Sequence, residues 1–192
     1  NRSSGRMGFA IAEAAAQRGA EVVLVSGPVA LPTPWGVQRI DVETALQMRE
    51  AVLAALPRAT IAILAAAVAD YAPERAEGVK IKREKQDTLS LSLVKNPDIL
   101  AEVVASRGST TVVGFAAETN DLLENARAKL VRKGCDLIVA NDVSRSDIGF
   151  DADRNEVLIV GPRVEDVRAV PVARKSEIAV SILDRVLEVR RR

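Results

Sequence analysis

Apolar positions along the chain repeat with two periods, one helical and one extended. Apolar residues from Met7 to Ala14 fall on one helical face, and Gly19 follows where such a helix would end. Short aliphatic runs such as Glu21–Ser26 (EVVLVS) and Thr60–Ala66 (TIAILAA) are typical of buried strands. Strands that alternate with helices in this way predict a parallel sheet.

The same alternation continues to the end of the chain. The predicted strands are Glu21–Ser26, Val37–Ile40, Thr60–Ala66, Thr110–Ala116, Asp136–Ala140 and a late hairpin of Asn155–Val160 and Ala169–Val172. After the first helix, the predicted helices are one capped by Asp41, one from Pro97 to about Ser106, Asn120–Lys133 and Lys175–Val189. The predicted fold class is α/β: a Rossmann-like, three-layer, doubly wound fold with a mostly parallel sheet. In such a fold, ligands bind at the carboxyl ends of the strands.

Two stretches depart from the alternation. Residues 79–94 are rich in polar residues, and Thr88–Val94 alternates leucine with serine as a half-buried strand does. A projecting flap or strand pair outside the sheet core is therefore predicted there. The chain also opens on a Gly-containing turn and helix without a preceding strand. We therefore expect residues 1–192 to form a single domain that lacks its N-terminal strand and Gly-rich loop.

Composition narrows the possible functions. The 192 residues include 27 basic and 26 acidic side chains, which argues against a nucleic-acid or membrane binder but permits a local basic pocket. One cysteine and the absence of a long apolar run or signal peptide predict a soluble, cytoplasmic protein. The chain has no histidine, which excludes Ser–His and Cys–His nucleophiles. Nucleotidyl transfer to a carboxylate, which depends on positioning and charge stabilisation, remains possible.

The first eight residues, NRSSGRMG, form a candidate anion site at a helix start. Free N–H groups and the helix dipole favour anions there, while ordinary capping by a serine is an equal alternative. The residues concerned are Ser3, Ser4, Gly5, Arg6 and Gly8.

Several later residues also have both a functional and a purely structural interpretation. Asp70 is either a ligand-binding carboxylate or a turn cap, and Phe115 either stacks on a base or belongs to the core. Lysines at positions 80, 82, 129 and 133, together with Arg83, either bind phosphate or form solvated surfaces. Cys135 introduces an apolar strand and is interpreted as a packing residue.

In order along the chain, seven segments resemble the bacterial phosphopantothenoylcysteine synthetase family. They are NRSSGRMG (1–8), AAAVADY (65–71), KIKR (80–83), NPDI (96–99), GFAAET (114–119), AKLVRKGCDLIVAND (128–142) and Phe150–Asn155. In bacteria this unit is usually the C-terminal half of a bifunctional protein whose other half is a flavin-dependent decarboxylase that holds FMN. The family is a dimerising Rossmann-like domain.

The resemblance implies a CTP-dependent reaction in two steps, with Mg²⁺ shielding the triphosphate. The carboxylate of 4′-phosphopantothenate attacks the α-phosphate of CTP to give an acyl-cytidylate and pyrophosphate. The amine of L-cysteine then displaces CMP to form the amide. An ionised carboxylate is already a nucleophile, so the absence of histidine is compatible with this chemistry.

The resemblance also implies roles for individual residues. Asn1 would act in the second step, Lys80 would stabilise charge as the acyl-cytidylate forms, and Lys129 with Lys133 would hold the triphosphate. The cytidine-nucleotide pocket would comprise Ala65, Ala66, Ala67, Asp70, Asn96, Pro97, Asp98, Ile99 and Phe115, and the dimer flap Lys80, Lys82 and Arg83. Two departures from the family pattern are the missing Gly-rich loop before residue 1 and an arginine at position 83, where lysine is usual.

Two other functions are compatible with a Rossmann-like fold. An NAD(P)-binding oxidoreductase would need a GxGxxG turn and a proton donor such as a Tyr–Lys pair. The chain has no GxGxxG motif, and its single tyrosine is Tyr71. A noncatalytic nucleotide-binding module is the other alternative, favoured by the missing N-terminal segment.

Overall fold

The computed structural model describes residues 3–75, 90–142 and 153–191 as a three-layer α/β fold. The helices are α1 (Arg6–Gln17), α2 (Ala45–Ala55), α3 (Ile99–Ser106), α4 (Leu122–Lys133) and α5 (Lys175–Arg190), with a 3₁₀ turn at Leu56–Arg58. The strands are β1 (Val22–Ser26), β2 (Val37–Asp41), β3 (Ile61–Leu64), β4 (Tyr71–Pro73), β5 (Leu93–Lys95), β6 (Thr111–Glu118), β7 (Leu137–Asp142), β8 (Arg154–Val160) and β9 (Val167–Arg174).

The central sheet has five strands in the order β3-β6-β7-β8-β9. β3, β6 and β7 pair in parallel, whereas β8 pairs antiparallel with both of its neighbours, so four of the five strands run in one direction. β1 and β2 form a separate parallel pair. The predicted mostly parallel sheet and the late hairpin are therefore confirmed.

Alternation along β6 and β7 divides the core between the two faces of the sheet. Val113, Leu137 and Val139 pack with α1 and α5 on one face. Val112 and Ile138, one residue out of phase, pack with α3 and α4 on the other face. Because both faces are covered by helices, these strands are continuous aliphatic runs, and the predicted three layers are confirmed. Within residues 3–75, 90–142 and 153–191, no helix combines the length and apolarity that crossing a bilayer requires.

The prediction that Asp41 caps the second helix is wrong. Asp41 is the last residue of β2, and Thr44 is the N-cap of α2. The Thr44 hydroxyl accepts a hydrogen bond from the Gln47 amide at 3.1 Å, and the Gln47 side chain accepts one from the Thr44 amide at 3.0 Å. This reciprocal capping box satisfies two backbone donors, which a cap at Asp41 would leave unpaired.

The stretch at residues 79–94 ends in a strand pair apart from the central sheet, as one of the two predictions for it had it: Leu93–Lys95 pairs antiparallel with Tyr71–Pro73. Its residues 79–89 lie outside the described residues. The predicted half-burial is wrong, because Leu91 is 65% exposed and Leu93 54% exposed, so neither leucine packs into a core of the described residues. Leucine–serine alternation predicts a strand with two different faces, but it does not show what covers the apolar face.

Gly114 allows α3 to lie close to β6. A Cβ atom at this position would lie 2.8 Å from Ile138 Cδ1 and 2.9 Å from Leu100 Cδ2, well inside contact distance. Leu100 is in the first turn of α3, so the missing side chain at Gly114 sets how closely the start of that helix approaches the sheet.

We expect Gly114→Ala to lower the free energy of unfolding by about 1–3 kcal/mol, because the added methyl group overpacks a buried contact. Urea denaturation followed by circular dichroism measures this change. Gly8→Ala is the control, since Gly8 lies inside α1 and a Cβ there would meet no atom within 4 Å. The control should be more stable than the wild type by about 0.5–1 kcal/mol. Equal destabilisation of both variants would contradict this explanation.

Candidate functional site

The polar motifs converge at the carboxyl ends of the parallel strands. β3 ends at Leu64, β6 at Glu118 and β7 at Asp142. In a parallel sheet these ends share one edge, where open α/β folds bind their ligands. The loop of residues 65–70 follows β3 directly at this edge.

Asn96 joins the loop of residues 65–70 to the start of α3. Its side-chain Nδ2 donates to the carbonyl oxygen of Ala69 at 2.9 Å, and its backbone amide donates to the carbonyl of Asp70 at 2.8 Å. The structure thus brings two sequence-predicted segments together across 27 residues of chain. Ala65, Ala67 and Pro97 are half-buried, Ala66 and Asp70 are exposed, and Ile99 is buried at the start of α3.

Asp98 connects the start of α3 with the end of α4. Its Oδ1 accepts a hydrogen bond from the Ala101 amide at 3.1 Å, which makes Asp98 the N-cap of α3. Its Oδ2 accepts a hydrogen bond from Lys133 Nζ and forms an ion pair with it. Partial burial alone would raise the pKa of the Asp98 carboxyl, but the Lys133 and Ala101 hydrogen bonds outweigh that effect and hold the pKa below its ordinary value.

Lys129 lies one turn before Lys133 on the same side of α4. Burial lowers the pKa of its ammonium group, and the positive charges of Lys133 and Arg132 lower it further, against an opposing effect of Glu118. An anion bound here would relieve the repulsion between the two lysines. Glu118 was not among the predicted site residues, although its position at the end of β6 could have identified it.

At the candidate anion site of residues 3–8, the alternative of ordinary capping by a serine is not what the structure has. Gly5 is the N-cap of α1, with a left-handed φ of 73°, and no side chain caps the helix. A Cβ on Gly5 would lie 3.0 Å from Val29 Cγ1, so glycine is needed here for both conformation and space. The Ser3 hydroxyl accepts only a long hydrogen bond, 3.4 Å, from the Gly5 amide.

Arg6 forms an ion pair with Asp153, which sequence analysis did not single out. Both residues line a groove of about 790 Å³ between α1 and the β9–α5 junction. The basic side chains along this groove are Arg6, Arg154, Arg174 and Lys175.

Two further predictions concern residues near the sheet. Phe115 is half-buried and packs against the core on the α1–α5 face; β6 continues to Glu118, so Phe115 is not at the strand end as predicted. Cys135 is buried in the core on the α3–α4 face, as its interpretation as a packing residue predicts. Burial raises the pKa of its thiol to about 11.

Four sequence-predicted residues lie outside the described residues. They are Asn1, Lys80, Lys82 and Arg83. Within the part of the chain that the structure describes, no group of three or more Asp, Glu or Cys side chains is arranged to hold a metal ion.

The sequence and the fold are matched in known proteins. A family model described as the DNA/pantothenate metabolism flavoprotein C-terminal domain matches residues 1–189. The chain belongs to this family.

Similar proteins agree with this family membership. The chain is 47% identical over 190 residues to the coenzyme A biosynthesis bifunctional protein CoaBC of Vibrio cholerae, covering 98% of the chain and 47% of that protein. It is 49% identical over 190 residues to the same bifunctional protein of Escherichia coli, covering 97% of the chain and 46% of the relative. A crystal structure of the C-terminal domain of a CoaBC protein superposes with a TM-score of 0.80 at 36% identity, covering 97% of this chain and 83% of that one.

The resemblance predicted from the ordered motifs is therefore confirmed. The chain spans about half the length of the curated relatives that it matches. Its structural likeness is to the C-terminal domain in particular.

Proposed function

We propose that this domain of the flavoprotein C-terminal family is a phosphopantothenate–cysteine ligase that consumes CTP in coenzyme A biosynthesis. The observation that carries the proposal is the convergence of Asn96, Asp98 and Lys133 with the loop of residues 65–70 at the carboxyl edge. The two lysines of α4 add positive charge where a triphosphate would need it. The names of relatives that are 47–49% identical indicate coenzyme A biosynthesis, and the substrates follow from the family resemblance.

The reaction proceeds in two balanced steps. A carboxylate oxygen of 4′-phosphopantothenate attacks the α-phosphorus of CTP, and the bond to the bridging oxygen breaks to release pyrophosphate. The amine of L-cysteine then attacks the acyl carbon, loses a proton to solvent, and CMP leaves. Neither step needs a histidine, because the first nucleophile is already ionised and the second group to leave is a phosphate monoester.

The described residues would contribute positioning and charge. Lys129 and Lys133 would neutralise phosphate oxygens, while Asn96 and its hydrogen bonds hold the loop of residues 65–70 against the nucleotide. Asn1 would orient the acyl-cytidylate and Lys80 would stabilise charge in the first step. These two roles follow from the family resemblance.

Mg²⁺ would accompany the nucleotide. This ion is usually held by one or two carboxylates, water and substrate phosphates. The exposed carboxylate of Asp70, the last residue of the loop that would hold the nucleotide, fits such a partial ligand set. Bound Mg²⁺ would neutralise phosphate charge.

We also propose a homodimer. β4 and β5 form an isolated two-stranded sheet, which is marginally stable without further packing. It carries exposed Tyr71, Leu93 and Val94, with Leu91 just before β5. A second copy would cover these apolar side chains. The predicted flap residues Lys80, Lys82 and Arg83 come between β4 and β5 in the sequence.

The longer relatives imply a second catalytic unit in the same polypeptide. Their bifunctional names, and a length about twice that of this chain, are compatible with a fused decarboxylase that holds FMN. The flavin would belong to that unit and would take no part in amide formation.

Pyrophosphate release tests the proposed function directly. With CTP, Mg²⁺ and 4′-phosphopantothenate, the full-length protein should release pyrophosphate before cysteine is supplied, because activation precedes amide formation. No release from folded protein would refute the assignment. Thermal-shift measurements with CTP, ATP and NADPH test the alternatives: stabilisation by NADPH alone would indicate an oxidoreductase, and CTP binding without turnover a noncatalytic module.

Replacing Asn1 by aspartate should impair the second step more than the first. A carboxylate cannot donate the hydrogen bonds of an amide, and its charge opposes that of the acyl-cytidylate phosphate. We expect amide formation to slow at least about tenfold, the effect of one lost hydrogen bond to a charged group, while pyrophosphate release changes less. Quenched-flow measurement of both products checks this, and equal loss in both steps would contradict the role of Asn1.

A further inference from the structure

Lys133 has an anionic partner within the chain. Its Nζ is paired with the carboxylate of Asp98, which lies 35 residues away in sequence at the start of α3. The Asp98 carboxylate is itself held in place, because its other oxygen accepts the Ala101 amide as the N-cap of the helix. The carboxylate therefore occupies a defined position from which it holds the ammonium group.

Positive charge is in excess around this pair. Lys133 and Lys95 act on the Asp98 carboxylate, while Lys129 is affected by Glu118, Lys133 and Arg132. A nucleotide triphosphate brings several more negative charges to the same place. For Lys133 to donate to a phosphate oxygen, its bond to Asp98 must weaken or break.

The Asp98–Lys133 pair is exposed enough for Lys133 to exchange its carboxylate partner for a phosphate. The side chain of Asp98 is 44% exposed and that of Lys133 is 18% exposed. Ion pairs with this degree of exposure contribute little net stability, so a phosphate with greater charge competes well against a single carboxylate. A weakly charged anion gains less from the same exchange.

We propose that Asp98 is a built-in competitor for nucleotide phosphate, which holds Lys133 when the site is empty and yields it when the triphosphate binds. This inference rests on the proposed function of the same site. Asp98 would keep the lysine oriented toward the site and would take it back after pyrophosphate forms. It would therefore lower the affinity for both CTP and pyrophosphate and assist product release.

The Asp98→Asn variant distinguishes competition for Lys133 from the structural role of Asp98 as the N-cap of α3. Asparagine still accepts the Ala101 amide and remains a good N-cap, but it no longer pairs with Lys133 as a charge. We expect CTP and pyrophosphate each to bind about two- to fivefold more tightly, the range expected for a partly exposed ion pair. Isothermal titration calorimetry on the full-length protein with Mg²⁺ measures both affinities, and the melting temperature checks folding.

Two comparisons make the experiment decisive. Glu102→Gln removes the same charge one turn further along α3, where Glu102 pairs with Arg49 at 2.7 Å, and should leave both affinities unchanged. In a Lys133→Met background, Asp98→Asn should give no gain, because there is no ammonium left to release.

Unchanged or weaker binding by folded Asp98→Asn protein would overturn the inference, as would an equal gain in the Lys133→Met background. If Asp98→Asn fails to fold, Asp98→Ser offers the same test with another capping side chain. Wild-type protein that does not bind CTP at all would instead refute the proposed function, so the two failures are distinguishable.

Discussion

Replacing Arg185 by methionine lowers the free energy of unfolding by about 3 kcal/mol, as expected for the loss of one partner from a buried ion pair. Arg185 is 6% exposed. Its guanidinium lies 3.0 Å from Asp166 Oδ1 and donates from Nη1 to Glu188 Oε2 at 2.8 Å. Asp166 keeps Arg163 as a second partner at 2.8 Å, which limits the loss. Methionine also removes Nε, a buried donor without a hydrogen-bond partner in the described part of the chain.

Asp184→Asn is the matched control for this measurement. Asp184 also lies on α5 and pairs with Arg18 at 2.8 Å, but the two side chains are 50% and 33% exposed. Removing an exposed pair should change the free energy of unfolding by less than about 1 kcal/mol. Urea denaturation of both variants tests the comparison, and equal losses would show that burial of Arg185 does not account for its effect.

The cluster of Arg163, Asp166 and Arg185 should make the free energy of unfolding depend on pH. The Arg163 and Arg185 side chains hold the pKa of the Asp166 carboxyl well below its usual range. Because this pKa is lower in the folded than in the unfolded chain, the stabilisation is complete at neutral pH and is lost as the pH falls below about 4. Arg185→Met should lose less stability over that range than the wild type does. Urea midpoints at pH 7, 4 and 3 would measure the difference.

Replacing Lys133 by methionine should weaken CTP binding about 10- to 100-fold, the effect of losing a hydrogen bond between charged groups. Lys129→Met should act in the same direction, because Lys129 lies one turn before Lys133 on the same side of α4. Folding should be nearly unchanged, since the Asp98–Lys133 pair is partly exposed. Calorimetric titration with CTP measures the affinities.

Arg132→Met provides the control for net charge. Arg132 precedes Lys133 on α4 and is exposed, so its replacement removes one positive charge from the same helix. We expect less than about a twofold change in affinity, because salt screens exposed charges that do not contact the ligand. A loss as large as that of Lys133→Met would indicate that only the general charge of the helix matters.

Local patterns predicted most of the fold. The aliphatic runs and helical periods place strands and helices within a few residues of their observed bounds, because periodicity reports which side of an element is buried. Predictions failed where two local signals competed. Asp41 has a capping side chain, yet Thr44 and Gln47 satisfy more backbone donors, so the helix begins after Thr44.

Local patterns were less informative about exposure and side-chain partners. The alternating leucines near residue 91 predicted a half-buried strand, but Leu91 and Leu93 pack into no core among the described residues. Serines before α1 suggested a side-chain cap, whereas Gly5 takes that position because the loop at Val29 leaves no room for a Cβ. Both outcomes depend on neighbours that are remote in sequence.

The sequence by itself determined the layered α/β class, the aliphatic core and the family, since these depend on periodicity and on ordered motifs. Only the tertiary structure decided which charges meet. Asp98 pairs with Lys133 across 35 residues, and Arg6 with Asp153 across 147. Such pairs form where packing brings helix ends and loops together, and their geometry depends on contacts such as that between Gly114 and α3.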